Sequence, residues 1–348
     1  MPTALIAWRR TPPPFLIGGA EVTQQLLAEQ LAAAGWRVVY LGAYQPPWDG
    51  PGQLAEITAY LDTNHTPHES ASGAVRYWWN GVDCIAVAQD RIPATLAALL
   101  TDIRPDVVFT SQEGSADIAA EARTHALTAG ICHSVSGTGL GVLAGRPHVG
   151  LAVSEFVRHR AGSPAGTRMS LWYPPFTQPG PGTVNTDRDD GPALMINPIP
   201  AKGSRLMHGL IQAMPEERFT LVEGWWNTAA EFRQYPNVTY VPRVYDMAPL
   251  YRSHRLLLVP SVVEDAFPRV IVEAALHAVP TIGTDRGGIP EAVGAGGTVL
   301  PADADLTEWA AAICAMNHRG AGERARLDAA RYTRPVLPEI VALGLTPT

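Results

Sequence analysis

Short apolar runs alternate with helix-patterned stretches along almost the whole chain, and this alternation limits the fold more than any other feature. In the first half the runs are Ala4–Trp8, Arg37–Leu41, Cys84–Ala88, Asp106–Ser111, Ile131–Val135 and Val149–Ser154. Several lack a polar–apolar period of two, as strands buried on both faces of a parallel sheet require. Between the first two lies a helix over Ala20 to Ala34, with Val22, Leu26, Leu27 and Leu31 as its apolar stripe and Gly35 as its C-terminal cap. A stretch rich in Pro and Gly, Ser170 to Pro192, then breaks the pattern and reads as a linker over residues 171–192. A second series follows: Ala193–Asn197, Phe219–Glu223, Val238–Val241, Arg255–Val259, Thr281–Thr284 and Gly297–Leu300. The expected fold class is α/β, with a doubly wound parallel sheet in each half. Ligands of such sheets bind at the carboxyl ends of the strands, and two sheets facing each other place a ligand in the cleft between them.

Length agrees with that division, since 348 residues are enough for two domains at about 100–200 residues each. Hydrophobic residues make up 46% and charged residues 17%, which argues for packed cores and against disorder. The net charge of -7 offers no basic field for nucleic acid. The local cluster Arg158-His159-Arg160 reads as a solvated helix face. Cys84, Cys132 and Cys314 are far apart and form no metal-spaced group, so free thiols in a reducing compartment are expected and no metal is implied. The N-terminal apolar run precedes Arg9-Arg10, the reverse of a signal peptide, and no apolar stretch is long enough to span a bilayer. A cytoplasmic protein with at most peripheral membrane contact is expected, in an oligomeric state that the sequence leaves open.

The chemistry concentrates in Pro260 to Glu291, PSVVEDAFPRVIVEAALHAVPTIGTDRGGIPE. The stretch starts where the run Leu256–Val259 ends, at a strand's carboxyl end. Pro268 suits the first position of a helix, which runs to about Ala278 before Pro280. Val270, Ile271, Ala274, Ala275 and Ala278 recur at helical spacing and should face the core. Glu264, Asp265 and Glu273 cluster around the helix entrance. After the next strand, Gly287-Gly288 lets backbone N–H groups approach a bound group closely. Two adjacent loops thus offer helix N-termini, which suit phosphate, and carboxylates, which suit sugar hydroxyls.

This stretch resembles the C-terminal signature of the retaining GT-B glycosyltransferases of family 4, roughly P-S-x-x-E-x-F-G-x-x-x-x-E-A followed by T-D-x-G-G-x-x-E. The resemblance implies a GT-B fold: two Rossmann-like domains facing across a cleft. It implies an acceptor-binding domain over residues 1–170, a nucleotide-sugar domain over 193–330 and a final helix, 331–348, returning to the first domain. In the family the two signature carboxylates lie eight positions apart; the first holds donor-sugar hydroxyls and the second the ribose. Glu273 takes the ribose role. Asp265 stands eight positions before it in place of Glu, with Glu264 adjacent. Pro268 replaces the family glycine and brings no N–H. The donor contacts implied are Glu264, Asp265, Ala266, Phe267, Arg269, Val270 and Glu273.

Further positions fit the same resemblance. Gly18-Gly19 occupies the place of the family's Gly-Gly before the first long helix, near pyrophosphate or acceptor. His133 matches a histidine beside the donor sugar. Lys202-Gly203 matches a Lys-Gly whose cation neutralises the diphosphate, whereas the family's Gly-Arg is Asn197-Pro198 here. Either Arg205, Arg243 or Arg269 supplies the second cation, or leaving-group activation is weaker. Val238 to Val244 occupies the place where the base is held. Trp48, Tyr77, Trp78 and Trp79 either stack on an acceptor or form a satellite core.

The implied reaction moves a sugar from a nucleoside diphosphate sugar to a hydroxyl of a small molecule, glycan or lipid, with retention and without a metal cofactor; His133, Lys202 and Asp265 are the candidate catalytic residues. Other readings stay open: a catalytically degenerate GT-B protein that binds a nucleotide or a partner, and a nucleotide-sugar epimerase or sugar phosphorylase on the same fold. No G-x-G-x-x-G opens the first βα unit, which argues against a dehydrogenase.

Overall fold

Most of the apolar runs become buried parallel strands in both halves of the chain. The structure, a computed structural model, describes residues 1–15, 18–44, 54–180, 184, 190–224 and 229–346. By its internal contacts the chain forms two units, residues 1–175 with 335–348, and residues 176–334.

The first unit holds strands β1 (Thr3–Ala7), β2 (Arg37–Ala43), β3 (His68–Ala71), β4 (Ala74–Trp79), β5 (Val82–Val87), β6 (Val107–Ser111), β7 (Leu127–Cys132), β8 (Val149–Ala152) and β9 (Arg168–Leu171). They form one sheet in the order β3-β4-β5-β2-β1-β6-β7-β8-β9. All pairings are parallel except those that β4 makes with β3 and β5. Its helices are α1 (Gly19–Ala33), α2 (Leu54–Thr63), α3 (Ile92–Ile103), α4 (Ser115–Ala122), α5 (Gly137–Gly141) and α6 (Glu155–Ala161). A core of Leu5, Val39, Leu41, Leu96, Val108 and Ile118, among others, lies between β1, β2, β6 and helices α3 and α4.

The second unit holds β10 (Ala193–Ile196), β11 (Phe219–Val222), β12 (Val238–Val241), β13 (Leu256–Val259), β14 (Thr281–Thr284) and β15 (Thr298–Leu300), all parallel, in the order β12-β11-β10-β13-β14-β15. Helices α7 (Ser204–Ala213), α8 (Ala248–Ser253), α9 (Arg269–Leu276), α10 (Ile289–Val293), α11 (Leu306–Ala315) and α12 (His318–Ala329) connect and flank them. Met195, Leu210, Phe219, Phe232, Leu258 and Trp309 are among its core residues. The last helix, α13 (Val336–Ala342), packs on α1, where the Val336 N–H donates to Gln30 Oε1 at 3.1 Å.

Two local expectations need correction, and a third stretch that was left open takes a definite form. The stripe expected on α1 is displaced: Val22 and Leu26 are only half-buried, while Glu21, Thr23 and Gln24 join Leu27, Ala28 and Leu31 in the interior. These polar residues have partners there. Glu21 shares Arg10 with Glu113, and the Gln24 side-chain amide donates to Ser111 Oγ at 2.9 Å. The run expected at Ile131–Val135 is the end of a strand that starts at Leu127, which leaves His133 just beyond β7. The stretch around residues 68–79 forms the β3–β4 hairpin: Tyr77 is buried and donates to the Pro13 carbonyl at 2.7 Å, whereas Trp78 on the opposite face is 60% exposed. Trp79 is half-buried, and Trp48 lies outside the described residues.

Candidate active site

The strand order of the second sheet sets β10, β13 and β14 side by side, so the three loops that leave their carboxyl ends share one rim. The first loop carries Lys202 to the start of α7, the second carries Ser261 and Asp265 to α9, and the third carries Gly287 and Gly288 to α10.

These loops are joined by polar contacts. Lys202 Nζ forms an ion pair with Asp265 Oδ1. Ser261 donates its hydroxyl to Asp265 Oδ2 at 2.8 Å. Thr284, at the end of β14, donates in turn to the Ser261 carbonyl at 2.7 Å. The Gly288 N–H donates to the Asp265 carbonyl at 2.6 Å, and Asp265 and Gly287 form a single parallel bridge. A Cβ at Gly287 or Gly288 would collide with the backbone of Asp265 or Ala266, so the Gly-Gly pair is what lets the third loop lie against the second. Gly203 has the same role beside Lys202: its φ is +91°, and a Cβ there would meet the Pro260 carbonyl.

Of the two adjacent acids, Asp265 joins this cluster while Glu264 is exposed. Pro268 caps α9 with φ -67° and leaves Arg269 as the first helical residue. Ile271, Ala274, Ala275 and Ala278 face the core as their spacing predicts, but Val270 is only half-buried, and so is Ala266. The ring of Phe267 packs edge-on against Phe176 and Tyr332, with centroids 6.4 and 5.3 Å away.

One turn into α9, Glu273 accepts from the Tyr251 hydroxyl at 3.1 Å and from Arg269 Nε at 3.2 Å. Burial pushes the Tyr251 hydroxyl well above the usual phenol range, and the neighbouring Glu273 charge adds to that, so Tyr251 stays a donor. Burial lowers the Arg269 pKa against the opposing pull of Glu273. Arg269 is only 7% exposed, and its guanidinium carbon lies 4.1 Å from the Phe176 ring centre. Arg269 thus pairs with Glu273 and lies over the Phe176 ring.

The other predicted residues lie on other elements. Arg243 is exposed beyond β12, the edge strand, which β11 separates from β10. Arg205 is exposed in the first turn of α7. Gly18, Gly19 and His133 lie in the first unit, Gly18 as the N-cap residue of α1, Gly19 as its first residue and His133 directly after β7. Two residues of the cluster received no role from the sequence. Ser261 is part of the motif and could have been read as a partner for Asp265. Tyr251 lies 22 positions from Glu273, a separation that no local pattern reveals. Among the described residues no group of three or more His, Cys, Asp or Glu side chains is gathered to hold a metal.

Solved structures of similar fold span nearly the whole chain. Sucrose-phosphate synthase of Thermosynechococcus elongatus superposes with a TM-score of 0.72 at 17% identity, covering 99% of each chain. Anabaena HepE in complex with UDP and glucose gives 0.71 at 18% identity, again over 99% of each chain. The fold is GT-B. The pneumococcal O-GlcNAc transferase GtfA, in complex with UDP and GlcNAc, shares this GT-B fold with a TM-score of 0.68 at 10% identity, over 99% of this chain and 98% of its own. Residues 210–318 match the family described as glycosyl transferases group 1. That segment includes Asp265, Glu273 and the Gly287-Gly288 pair. No curated protein matches the chain in sequence. No helix among the described residues is long and apolar enough to cross a membrane.

Proposed function

We propose that this protein is a retaining glycosyltransferase that moves a sugar from a nucleoside diphosphate sugar to an acceptor hydroxyl. The observation that carries the reading is the set of three loops on β10, β13 and β14, held together by the Gly287-Gly288 contact with Asp265, which with helix α9 bring one cation, Lys202, and two carboxylates, Asp265 and Glu273, to one rim. The group 1 match over residues 210–318 supports it, and similarly folded proteins are solved with UDP.

In this reading Glu273 holds the ribose and Asp265 the donor sugar, with Lys202 on the diphosphate. The bond between the anomeric carbon and the diphosphate oxygen breaks, and negative charge grows on the leaving oxygen. Lys202 stabilises that charge. The acceptor oxygen bonds to the same face of the anomeric carbon, and its proton passes to the departing diphosphate. No protein nucleophile and no metal enters the scheme. His133 and Gly18-Gly19, in the first unit, are assigned to the acceptor and pyrophosphate side.

Calorimetric titration with UDP, GDP and dTDP tests the reading. At least one should bind at micromolar to low millimolar levels, and replacing Glu273 with Ala should weaken that binding about tenfold or more, the loss of hydrogen bonds to a charged group. Absence of binding by all three at millimolar concentration would remove the proposal. A second reading, nucleotide binding without transfer, is favoured by the engagement of Lys202 with Asp265 and by the missing N–H at Pro268. Slow hydrolysis of a bound sugar nucleotide would reject it.

A further inference from the structure

Glu273 is held from two sides by residues that are themselves held. Tyr251, on α8, is 2% exposed, and its ring lies 5.5 Å from that of His277. Arg269 is fixed between Glu273 and the Phe176 ring, and Phe176 packs in turn against Phe267 and Tyr332. Tyr251 donates to Oε2 and Arg269 to Oε1, so each carboxylate oxygen has one protein donor. An ionised carboxylate offers about four acceptor positions on its two oxygens. One donor on each oxygen leaves acceptor capacity on both, and the Glu273 side chain is 27% exposed, open to a ligand. Two neighbouring acceptors of fixed direction match two neighbouring hydroxyls.

We infer that Tyr251 and Arg269 are positioning residues that fix the Glu273 carboxylate, so that any preference for ribonucleoside diphosphates over their 2′-deoxy counterparts depends on these two side chains. The inference rests on the reading that this unit binds a nucleoside diphosphate. A glutamate free to rotate would lose rotamer freedom on binding and could satisfy a single hydroxyl in several poses. A carboxylate already fixed loses none, and a missing hydroxyl leaves one of its oxygens short of a donor, which is how a polar site rejects a deoxy analogue.

The test is calorimetric titration of UDP and GDP, each beside its 2′-deoxy counterpart, into the full chain carrying Y251F, R269K, R269M or E273Q, with thermal unfolding as the check on folding. The wild type should bind the ribonucleotide about tenfold or more tightly than the deoxy form, the size of a hydrogen bond to a charged group. Y251F and R269M should narrow that ratio to about threefold or less while both nucleotides still bind through the phosphates, and R269K should restore part of it. E273Q should lose the preference. A wild type without ribo preference overturns the inference. So does retention of the wild-type ratio in Y251F and R269M when E273Q has lost it, since Glu273 then acts without being positioned. If neither ribonucleotide binds the wild type, the underlying functional reading falls, and the inference with it. Should R269M fail to fold, Y251F decides, because it removes a single oxygen.

Discussion

Asp265 serves two partners within the chain before any substrate is considered. Lys202 and Ser261 each occupy one of its oxygens, and its side chain is 18% exposed. A sugar hydroxyl held by Asp265 must therefore share oxygens that already accept, and a diphosphate drawn to Lys202 must compete with a carboxylate. Asp265→Asn separates the two roles because it keeps the shape and removes the charge. Lys202 then loses its counter-ion, so affinity for the bare nucleoside diphosphate should stay level or rise by up to about threefold, while the extra affinity contributed by the sugar should fall about tenfold. With the pair 29% and 18% exposed, the stability change should stay near 1 kcal/mol or below. Titrating a sugar nucleotide beside its bare diphosphate, with a denaturant melt, checks each part. An equal loss for both ligands would show that Asp265 serves the phosphates rather than the sugar.

At the level of elements, the second unit was the legible half. Its six runs match its six parallel strands within a residue at each end; β10, β11, β13 and β14 are buried along nearly all their length, as continuous runs imply, whereas β12 and β15, at the sheet's edges, are only partly buried. The first unit hid more. Asn80-Gly81 links β4 to β5 and Ser72-Gly73 links β3 to β4, each pair with positive φ at both positions, the geometry of tight two-residue hairpin turns. Asn-Gly is a readable hairpin signal, but β3 and β4 before it are partly exposed and lack the continuous buried run that marks β5. The face of α1 was misread for a related reason: its buried side is polar, and those partners, Arg10, Glu113 and Ser111, come from distant loops and strands. Within the candidate site, Asp265, Glu273 and the Gly-Gly pair are singled out by the resemblance to the family signature. The Tyr251 and Arg269 contacts are not, because they depend on how α8 and residue 176 pack against α9.

The junction of β7 and β8 shows how one such element contact sets a pH response. The Thr128 N–H donates to His148 Nδ1 at 3.1 Å, which requires that nitrogen unprotonated, and burial together with Arg123 lowers the His148 pKa below 6.5. Above about pH 6.5 folded and unfolded chains both carry the neutral ring, and the contribution is complete. As pH falls below that value the unfolded chain takes up the proton first, so the contribution is lost as the pH drops. His148→Asn, which keeps an acceptor and cannot titrate, should match wild-type stability near pH 8 and lose less of it between about pH 6.5 and 5 in denaturant melts. Parallel curves for the two proteins would refute the assignment.

Over the whole molecule the two units have cores of their own: Leu5, Val39 and Val108 belong to one, Met195, Leu258 and Trp309 to the other. Domains with separate cores can unfold as separate cooperative units. The residues proposed to hold the nucleotide lie in residues 176–334, apart from Gly18 and Gly19. A nucleotide bound to that unit stabilises it by mass action, by about 2.7 kcal/mol at a hundred times its dissociation constant. For a domain of that size class this corresponds to about 5–10 °C in midpoint. Calorimetric melts should therefore resolve two transitions, with a saturating nucleoside diphosphate moving one by about that amount and leaving the other in place. Glu273→Ala should cancel the movement without changing the transition that stays. A shift shared equally by both transitions would mean that the cores unfold together. A shift confined to the transition of the first unit, identified through core variants such as Val108→Ala and Leu258→Ala, would move the nucleotide site out of the β10–β13–β14 loops altogether.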